Sequence, residues 1–347
     1  MKIPVLPLFI IISHLAFGQT PLNDLNWQAD SAASDEFNSD SINTVMWHIL
    51  DCPGGDCCNW GGGTAFQKGN ATESGGLLRL RVDGPGIAPV PCDRNTFATG
   101  GVVSNSPVYQ YGYYEISAEL PGFISNGTPC AQKFEPTFWM DYDTAHNGCV
   151  LVHNEIDIFD ISGYADAKSD TVEGGWWFQN GHCGTYTPGG GKCHSSSPLF
   201  QAFHKYALEW DSNSLVFYFD DVPYYAVYND PVKPMHSMKL YIDEQLTDSS
   251  LHFCPNIPFP QYYLVDYFRH YALKTSCGSH ITLLDSAALA AYQFSVKSSL
   301  TFGNGSDSIS LKSTDVKYFR AADSITIYGT FTAPLGSELG LIPTPCN

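Results

Sequence analysis

Three carboxylates, Glu155, Asp157 and Asp160, fall within six residues of an otherwise apolar segment. A buried carboxylate is costly unless it is paired with another group or used chemically. Two carboxyl groups on a rigid strand, one ionised and one protonated, are the pair that hydrolyses glycosidic bonds. The types and spacing of these three acids therefore point to glycosidic chemistry.

Strand geometry makes a sharp demand on this segment. Side chains alternate between the two faces of a strand, so Glu155 and Asp157 share one face while Asp160 points to the other. A β-bulge between Asp157 and Asp160 would return Asp160 to the face of its companions, and the catalytic hypothesis predicts that bulge. Without it, the segment would be an ordinary half-buried strand with an acidic outward face.

If the bulge forms, three carboxylates crowd one face of the strand. One of them is then expected to hold a proton near neutral pH, because like charges oppose ionisation. The protonated group would serve as the acid and an ionised neighbour as the nucleophile. Asp160 has a shorter reach than a glutamate would have, by one C–C bond or roughly 1.5 Å.

The elements around this segment are predicted to be β-strands. Aromatic residues make up 14% of the chain, and 31 glycines and 22 prolines provide turns, a composition that favours β-structure. Many short strands with turn signals between them predict a sandwich or barrel, and only Ser286 to Tyr292 is a candidate for a helical turn or two. Residues 276–347 are predicted to form a small Ser/Thr-rich β appendage that contains two similar stretches, 307–311 and 323–327.

Charge and targeting signals limit the partners. A formal net charge of −18 disfavours nucleic acid and anionic membranes, and weighs modestly against a heavily sulfated substrate. Residues 1–18 are predicted to be a signal peptide, because Lys2 precedes an apolar run and Ala16-Phe17-Gly18 forms a small-x-small cleavage site. That run is shorter than the ~20 residues needed to span a bilayer. A secreted protein without a membrane span is therefore expected.

Eleven cysteines follow the predicted cleavage site, and disulfide bonds are expected in an exported chain. Cys183 and Cys193 flank a glycine-rich loop and could clasp it, while Cys277 and Cys346 could tie the tail to the main domain. Because a histidine lies beside each member of the first pair, zinc is an alternative there, but a disulfide is favoured.

The chain resembles glycoside hydrolase family 16, whose motif in its bulged form is Glu-x-Asp-x-x-Glu. The run from Glu155 to Asp160 matches that motif apart from its last residue. Further stretches match in the family's order: Ser34-Asp35-Glu36-Phe37 with Trp47, Tyr111-Gly112-Tyr113-Tyr114-Glu115 with Leu120-Pro121, Phe138-Trp139-Met140, residues 203–210 and residues 264–267. The resemblance covers roughly residues 27–273. It implies a concanavalin A-like β-jelly-roll sandwich of two antiparallel sheets, with residues 19–275 as the domain.

The resemblance also implies retaining hydrolysis of internal β-linkages in a polysaccharide. Glu155 would be the nucleophile, Asp160 the general acid/base, and Asp157 the residue that hydrogen-bonds the nucleophile. A β-1,3- or mixed-linkage glucan is the expected substrate, and an algal galactan such as agar, carrageenan or porphyran is the alternative. Because Asp160 stands where the family has Glu, a glycan-binding protein with weak catalysis is the alternative function.

Aromatic side chains are expected to stack on the sugar rings. Trp139 is the first candidate, followed by the adjacent Trp176 and Trp177, with core packing as the alternative for each. His153, which precedes the acid motif, is interpreted as a packed residue rather than a proton shuttle.

No cofactor is expected to be required for the chemistry, and no metal is expected at the catalytic residues. Relatives implied by the resemblance often carry a structural calcium ion, for which Glu36 and Asp266 are the candidate ligands. The polysaccharide is the expected partner, nucleic acid is not, and the protein is expected to be a monomer.

Overall fold

The computed structural model describes residues 27–343 except 53–63, 85–96, 106–108, 132–133, 147–148, 162–168, 181–186, 212–213, 229–233, 235, 247–255, 274–279, 292–295, 307 and 314–315. The chain divides into two compact units, one spanning Asn26–Thr275 and the other including Ser276–Cys346. The predicted signal peptide lies outside the described residues, as does the predicted pairing of Cys277 with Cys346.

The described part of the first unit consists of strands and two short 3-10 turns, Ser31–Ala33 and Lys68–Asn70. Its strands are β1 (Trp27–Ala29), β2 (Trp47–Ile49), β3 (Thr64–Phe66), β4 (Ala71–Ser74), β5 (Leu77–Val82), β6 (Phe97–Thr99), β7 (Gly101–Ser104), β8 (Gly112–Glu119), β9 (Phe123–Ser125), β10 (Thr128–Cys130), β11 (Phe134–His146), β12 (Cys149–Asp160), β13 (Thr171–Asn180), β14 (Thr187–His194), β15 (His204–Trp210), β16 (Ser214–Phe219), β17 (Val222–Tyr228), β18 (Lys239–Leu246) and β19 (Gln261–Leu273).

Two antiparallel sheets contain most of these strands. The first has the order β17-β16-β15-β8-β19-β5-β4, with β1 also paired to β19, and the second has the order β14-β13-β12-β11-β18-β7-β2. Short pairs, β9 with β10 and β3 with β6, lie outside them. The acid segment is at the end of β12, in the interior of the second sheet, where β11 pairs with it as far as Asp160 and β13 pairs with it as far as Asp157.

Alternation of apolar and polar residues explains how each strand is seated. In β5, Leu78, Leu80 and Val82 are buried, while the arginines between them, Arg79 and Arg81, are less buried. A strand with this period of two buries one face and solvates the other.

The two sheets bury a shared core. Ile156 and Phe138 of the second sheet belong to the same buried cluster as Leu208, Phe217 and Phe268 of the first. Each such side chain contributes about 1.5–3 kcal/mol when it is fully removed from water. The predicted sandwich of two antiparallel sheets, the β-jelly-roll class, is confirmed.

The second unit is also built mainly of β-strands, and its pairing is parallel. It contains β20 (Ile281–Leu283), α1 (Ser286–Ala291), β21 (Val296–Phe302), β22 (Ser308–Ser310), β23 (Val316–Ile327), β24 (Thr330–Thr332) and β25 (Glu338–Pro343). The sheet order is β20-β21-β23-β25, with β22 paired to β24. Leu300, Phe302 and Phe319 form its core. The helical turn predicted from Ser286 is confirmed.

Two further sequence predictions concern exposure to membranes and cysteine pairing. Within the described residues, no helix has both the length and the apolar character that a membrane crossing needs. Cys193 on β14 is a free thiol, so the predicted clasp with Cys183 is wrong. The physical reason is its orientation, since the Cys193 side chain packs against the main core, and burial raises the pKa of its thiol to about 12.

Candidate active site

A β-bulge interrupts the pairing of β12 with β11. Trp139 pairs with Asp157 and the preceding Phe138 pairs with Phe159, so Ile158 has no partner in the register. Ile158 and Phe159 are consecutive residues that are both buried in the core. The bulge predicted from the spacing of the three acids is therefore confirmed, and it resets the alternation before Asp160.

The neighbouring strand leaves room for this irregularity. Pairing of β12 with β13 ends at Asp157 and Gly175. Next along β13 is Gly174, where a Cβ atom would lie 2.9 Å from the carbonyl oxygen of Ile158 and closer still to the hydroxyl of Tyr224. A side chain at Gly174 would push against the bulge, so the glycine permits the backbone path that the acids need.

All three predicted carboxylates line one cleft of about 390 Å³. Trp139 lines the same cleft, and no lysine or arginine is among the residues that the structure places on its wall. The lining residues are Glu135, Thr137, Trp139, Asp141, Asp143, His153, Glu155, Asp157, Asp160 and Gln245. The cleft thus concentrates negative charge and hydrogen-bonding groups on one face of the sheet.

Burial and mutual repulsion raise the pKa of two of the three carboxyls, which favours their protonated form. Burial raises the pKa of Asp157 well above its usual value, and the charges of Glu155 and Asp160 and a hydrogen bond with Glu155 add to the effect. Trp177 opposes this shift by donating from Nε1 to Asp157 Oδ2 at 3.1 Å. Asp157 can therefore donate its proton to the Glu155 carboxylate.

Asp160 is the second carboxyl whose pKa is raised. Burial raises its pKa well above the usual value for an aspartate, and the charges of Glu135 and Glu155 make the next largest contributions to this rise. Its Oδ1 is buried and accepts no hydrogen bond from the described residues. Asp160 also lines the cleft, and a protonated carboxyl at this place suits proton donation to a bound molecule.

His153 makes contacts that the sequence interpretation missed. Its Nε2 lies 2.9 Å from Glu155 Oε2, and its Nδ1 lies 2.5 Å from Asp143 Oδ1. Instead of only packing, the ring connects two carboxylates of the cleft. A signal was present in the sequence, because His153 and Glu155 are two residues apart and share a strand face.

The three tryptophans predicted to bind sugar separate into two groups. Trp139 lines the cleft, donates from Nε1 to Asp243 Oδ2 at 2.8 Å, and stacks on Tyr241 with ring centroids 4.4 Å apart. Trp177 is 39% exposed, and its indole reaches Asp157. Trp176 is 3% exposed and belongs to the core, so its predicted role in binding sugar is wrong. Adjacent residues of a strand face opposite ways, and only one of this pair can face the cleft.

Two groups of side chains are candidates for holding a cation. Asp141, His153 and Glu155 each place one ligand atom within 4.8 Å of the others. A metal requires neutral imidazole, whereas both ring nitrogens of His153 already face carboxylate oxygens, so the group fits an ion-paired cluster better than a metal centre. At the predicted calcium ligands, Arg269 donates to both Glu36 oxygens at 2.7 Å. Glu36 and Asp266 therefore fit a calcium ion poorly, since a cation would have to displace Arg269.

The pKa values of three further carboxyl groups near these acids are also raised. Burial, followed by the charge of Asp243, raises the pKa of Glu135 to about 7, and burial, followed by the charge of Asp143, raises that of Asp141 to about 7. Burial also raises the pKa of Asp243 to about 6, against hydrogen bonds from Trp139 and Gln245. These groups ionise in the folded protein well above their usual range near pH 4.

Because the pKa values of these carboxyls are raised, we predict that the folded protein is more stable in mild acid than at neutral pH. A group whose folded-state pKa is raised stabilises the fold fully below its unfolded pKa, and that contribution is lost as pH rises through the folded pKa. For Glu135, Asp141 and Asp243 the loss falls between about pH 4 and pH 7. We expect the melting temperature in calorimetry to fall by several degrees from pH 5 to pH 8.

The control for this expectation is Glu135→Gln, which removes one carboxyl group with a raised pKa while keeping the side-chain length. The variant should show a shallower decline of melting temperature than the parent. A parent protein whose melting temperature is constant or rises from pH 5 to pH 8 would contradict the assignment of raised pKa values to these carboxyls.

Solved structures of other proteins share this fold. The chain superposes on a κ-carrageenase from Zobellia galactanivorans with a TM-score of 0.55 and 18% identity, covering 72% of this chain and 96% of the other. It superposes on porphyranase B from Zobellia galactanivorans with a TM-score of 0.57 and 19% identity, covering 72% of this chain and 93% of the other. It superposes on the catalytic domain of an endo-1,3-β-glucanase (laminarinase) from Thermotoga petrophila with a TM-score of 0.56 and 20% identity, covering 72% of this chain and 98% of the other. At these identities the likeness concerns the fold.

No curated protein sequence matches the chain. The family model described as glycosyl hydrolases family 16, however, matches residues 59–249, which is more than half of the sequence and includes β11, β12 and β13. The resemblance inferred from the acid motif is confirmed: this chain belongs to glycosyl hydrolase family 16.

Proposed function

We propose that this chain is a secreted, endo-acting, retaining glycoside hydrolase that cleaves internal β-linkages of a neutral glucan, with a β-1,3- or mixed-linkage glucan as substrate. The observation that carries the proposal is the bulge at Ile158, because it brings Asp160 to the cleft wall that Glu155 and Asp157 occupy. An unbroken strand would have separated the acid from the nucleophile.

In this mechanism Glu155 acts in its ionised form and Asp160 acts first in its protonated form. Glu155 attacks the anomeric carbon and forms a glycosyl ester, while Asp160 gives its proton to the departing glycosidic oxygen. Asp160, now ionised, then takes a proton from the water that attacks the ester, which releases the sugar and restores Glu155. Asp157 hydrogen-bonds Glu155 and stabilises its orientation.

The charge of the cleft supports a neutral substrate. Six of its lining residues carry carboxyl groups, and none of the described lining residues is lysine or arginine. A sulfate group would meet like charge there, at a cost that rises as water is excluded. This weighs against a sulfated galactan, although a carrageenase and a porphyranase share the fold.

The short side chain of Asp160 favours a second candidate function, a glycan-binding protein that retains the cleft and turns over slowly. Its carboxyl ends one C–C bond, roughly 1.5 Å, earlier than a glutamate's would. Retaining hydrolysis wants its two carboxyl groups ~5–5.5 Å apart, so a shortened reach acts directly on the rate.

A reducing-sugar assay on laminarin, lichenan, agarose, carrageenan and porphyran distinguishes these functions. We expect oligosaccharide release from laminarin or lichenan, and NMR of the first product should show the β-anomer. Release from carrageenan or porphyran alone would overturn the substrate class. Binding to a polysaccharide in affinity electrophoresis without any release would support the glycan-binding function instead.

The neighbouring tryptophans offer a matched pair of substitutions. We expect Trp177→Ala to raise KM for the hydrolysed glucan roughly tenfold, because an exposed stacking surface is lost, with the melting temperature nearly unchanged. Trp176→Ala should leave KM close to the parent value and lower the free energy of unfolding by about 3–5 kcal/mol, because it empties a core site. Equal KM values for parent and Trp177→Ala would remove Trp177 from the sugar-binding surface.

Export is supported by the signal-like residues 1–18 and tested by expressing the chain with them. Protein that appears outside the cell should begin at Gln19, whereas retention of residues 1–18 would contradict this part of the proposal. The protein is proposed to act as a monomer, which size-exclusion chromatography with light scattering measures.

A further inference from the structure

The imidazole of His153 is held between two carboxylates. One ring nitrogen, Nε2, lies 2.9 Å from Glu155 Oε2, and the other, Nδ1, lies 2.5 Å from Asp143 Oδ1. A neutral imidazole carries a hydrogen on only one of its nitrogens, so it could donate to only one of these oxygens. When both carboxyls are ionised, and so can only accept, both contacts are hydrogen bonds at once only if the ring is protonated.

The groups that face the ring belong to three neighbouring strands. On β11, Asp143 is the register partner of His153, and the Oδ1 atom of Asp141 lies 3.6 Å from its Nδ1. On β12, Glu155 makes the contact described above and Asp157 is next on the same face. The register partner on β13 is Gln179, which is uncharged.

One cation acts in the opposite direction. Lys239 on β18 pairs with Asp141 and lowers the pKa of that carboxyl. The acids nevertheless outnumber it around His153. Burial, the largest single effect, acts to lower the pKa of His153, but the hydrogen bonds to Glu155 and Asp143 and the charges of these two acids together raise it to about 9.

A fixed cation at this place serves the proposed nucleophile. Glu155 must be ionised to attack, although Asp141, Asp157 and Asp160 crowd the same cleft. A hydrogen bond donated by the imidazolium to Oε2 stabilises the ionised form of Glu155 among these acids. When the ester forms, Glu155 loses its charge, but Asp143 still holds the ring, so no proton has to leave His153.

We propose that His153 is a positioning residue for hydrolysis: an imidazolium, anchored by Asp143, that orients the Glu155 carboxylate and offsets the charge of its acidic neighbours. This inference rests on the proposed role of Glu155 as the nucleophile. It assigns to His153 a role through Glu155 and no contact with the sugar.

The first test needs no activity. With ¹³C-labelled histidine, NMR titration assigns the His153 ring by its disappearance in His153→Gln and follows it from pH 5 to pH 10. We expect the ring to titrate near pH 9 in the parent protein, and at lower pH in Glu155→Gln, which removes one charged partner. A parent ring that is neutral at pH 7 overturns the proposal, whatever the enzyme activity.

The second test uses the rate. His153→Gln keeps a hydrogen-bond donor near the Nε2 position but removes the charge, and His153→Lys keeps a positive charge. We expect His153→Gln to lower kcat roughly 10- to 100-fold with little change in KM, because the positive charge that stabilises ionised Glu155 is lost. The acid limb of its kcat/KM profile should move about 1–2 units to higher pH, and His153→Lys should restore part of both losses.

The matched control is His194→Gln. His194 also contacts an aspartate, Asp170, at 3.2 Å, but its side chain is 71% exposed, and we expect parent-like kcat and an unmoved pH profile. Equal losses in His153→Gln and His153→Lys without a pH shift would reduce His153 to a packing role. If the parent hydrolyses no polysaccharide, the proposed function fails by itself, and the NMR titration still decides the ion pair.

Discussion

Replacing Glu155 by glutamine is expected to lower kcat on the hydrolysed glucan by roughly 10⁴-fold or more, because an amide cannot form the glycosyl ester. Glutamine has the same length and can turn its oxygen towards the Nε2 of His153, 2.9 Å away in the parent. The fold should therefore persist. Removal of one charge from the cluster should leave the melting temperature equal to the parent's or slightly higher.

The measurement is reducing-sugar release together with calorimetry. Glu119→Gln makes the same chemical change on β8 of the other sheet, and it should retain the parent rate. Turnover of Glu155→Gln at the parent level would remove Glu155 as the nucleophile and would leave the proposed mechanism without its first step.

Asp160→Asn is expected to lower hydrolysis of the polysaccharide by roughly 10²- to 10⁴-fold, the range lost when a general acid is removed. The loss should be much smaller on an aryl glycoside with an acidic phenol as leaving group, because that oxygen departs without a proton. Asparagine keeps the shape of a side chain whose pKa is raised by burial, so the fold should tolerate it. Rates on the two substrates, measured side by side, distinguish lost proton donation from a damaged cleft.

Asp160→Glu is the complementary variant. If the short side chain merely handicaps the enzyme, the substitution should raise the rate or leave it similar, since glutamate restores the reach of the family's motif. An Asp160→Asn protein as active as the parent on the polysaccharide would show that another group protonates the leaving oxygen. Glu135, whose pKa is about 7 on the same cleft wall, would then be the next carboxyl to replace.

The position of the bulge could be predicted from the sequence because alternation is a local property of a strand. Glu155, Asp157 and Asp160 can share one face only if an extra residue is inserted before Asp160. Two consecutive apolar residues, Ile158 and Phe159, supply that insertion, and both are buried in the core. The all-β class followed in the same way from composition and alternation along each strand.

Only the tertiary structure shows which tryptophan faces the cleft and which is buried in the core. The sequence shows that Trp176 and Trp177 are adjacent, and so must face opposite ways, but it does not show which one faces the cleft. Pairing decides this, because Trp177 is opposite Glu155 in the register while Trp176 is opposite the core residue Ile156. The free thiol of Cys193 was decided in the same way, by the side of the sheet on which its strand placed it.

The sequence by itself determined which acids belong to one strand, that a bulge must separate two of them, and which family shares that motif. Only the tertiary structure decided which residues meet across strands: the ion pair of His153 with Asp143, the indole of Trp177 on Asp157, and Glu135 near Asp160. The physical reason is register. Alternation within a strand follows from its backbone alone, whereas the partner opposite each residue is set by how the whole sandwich buries its core.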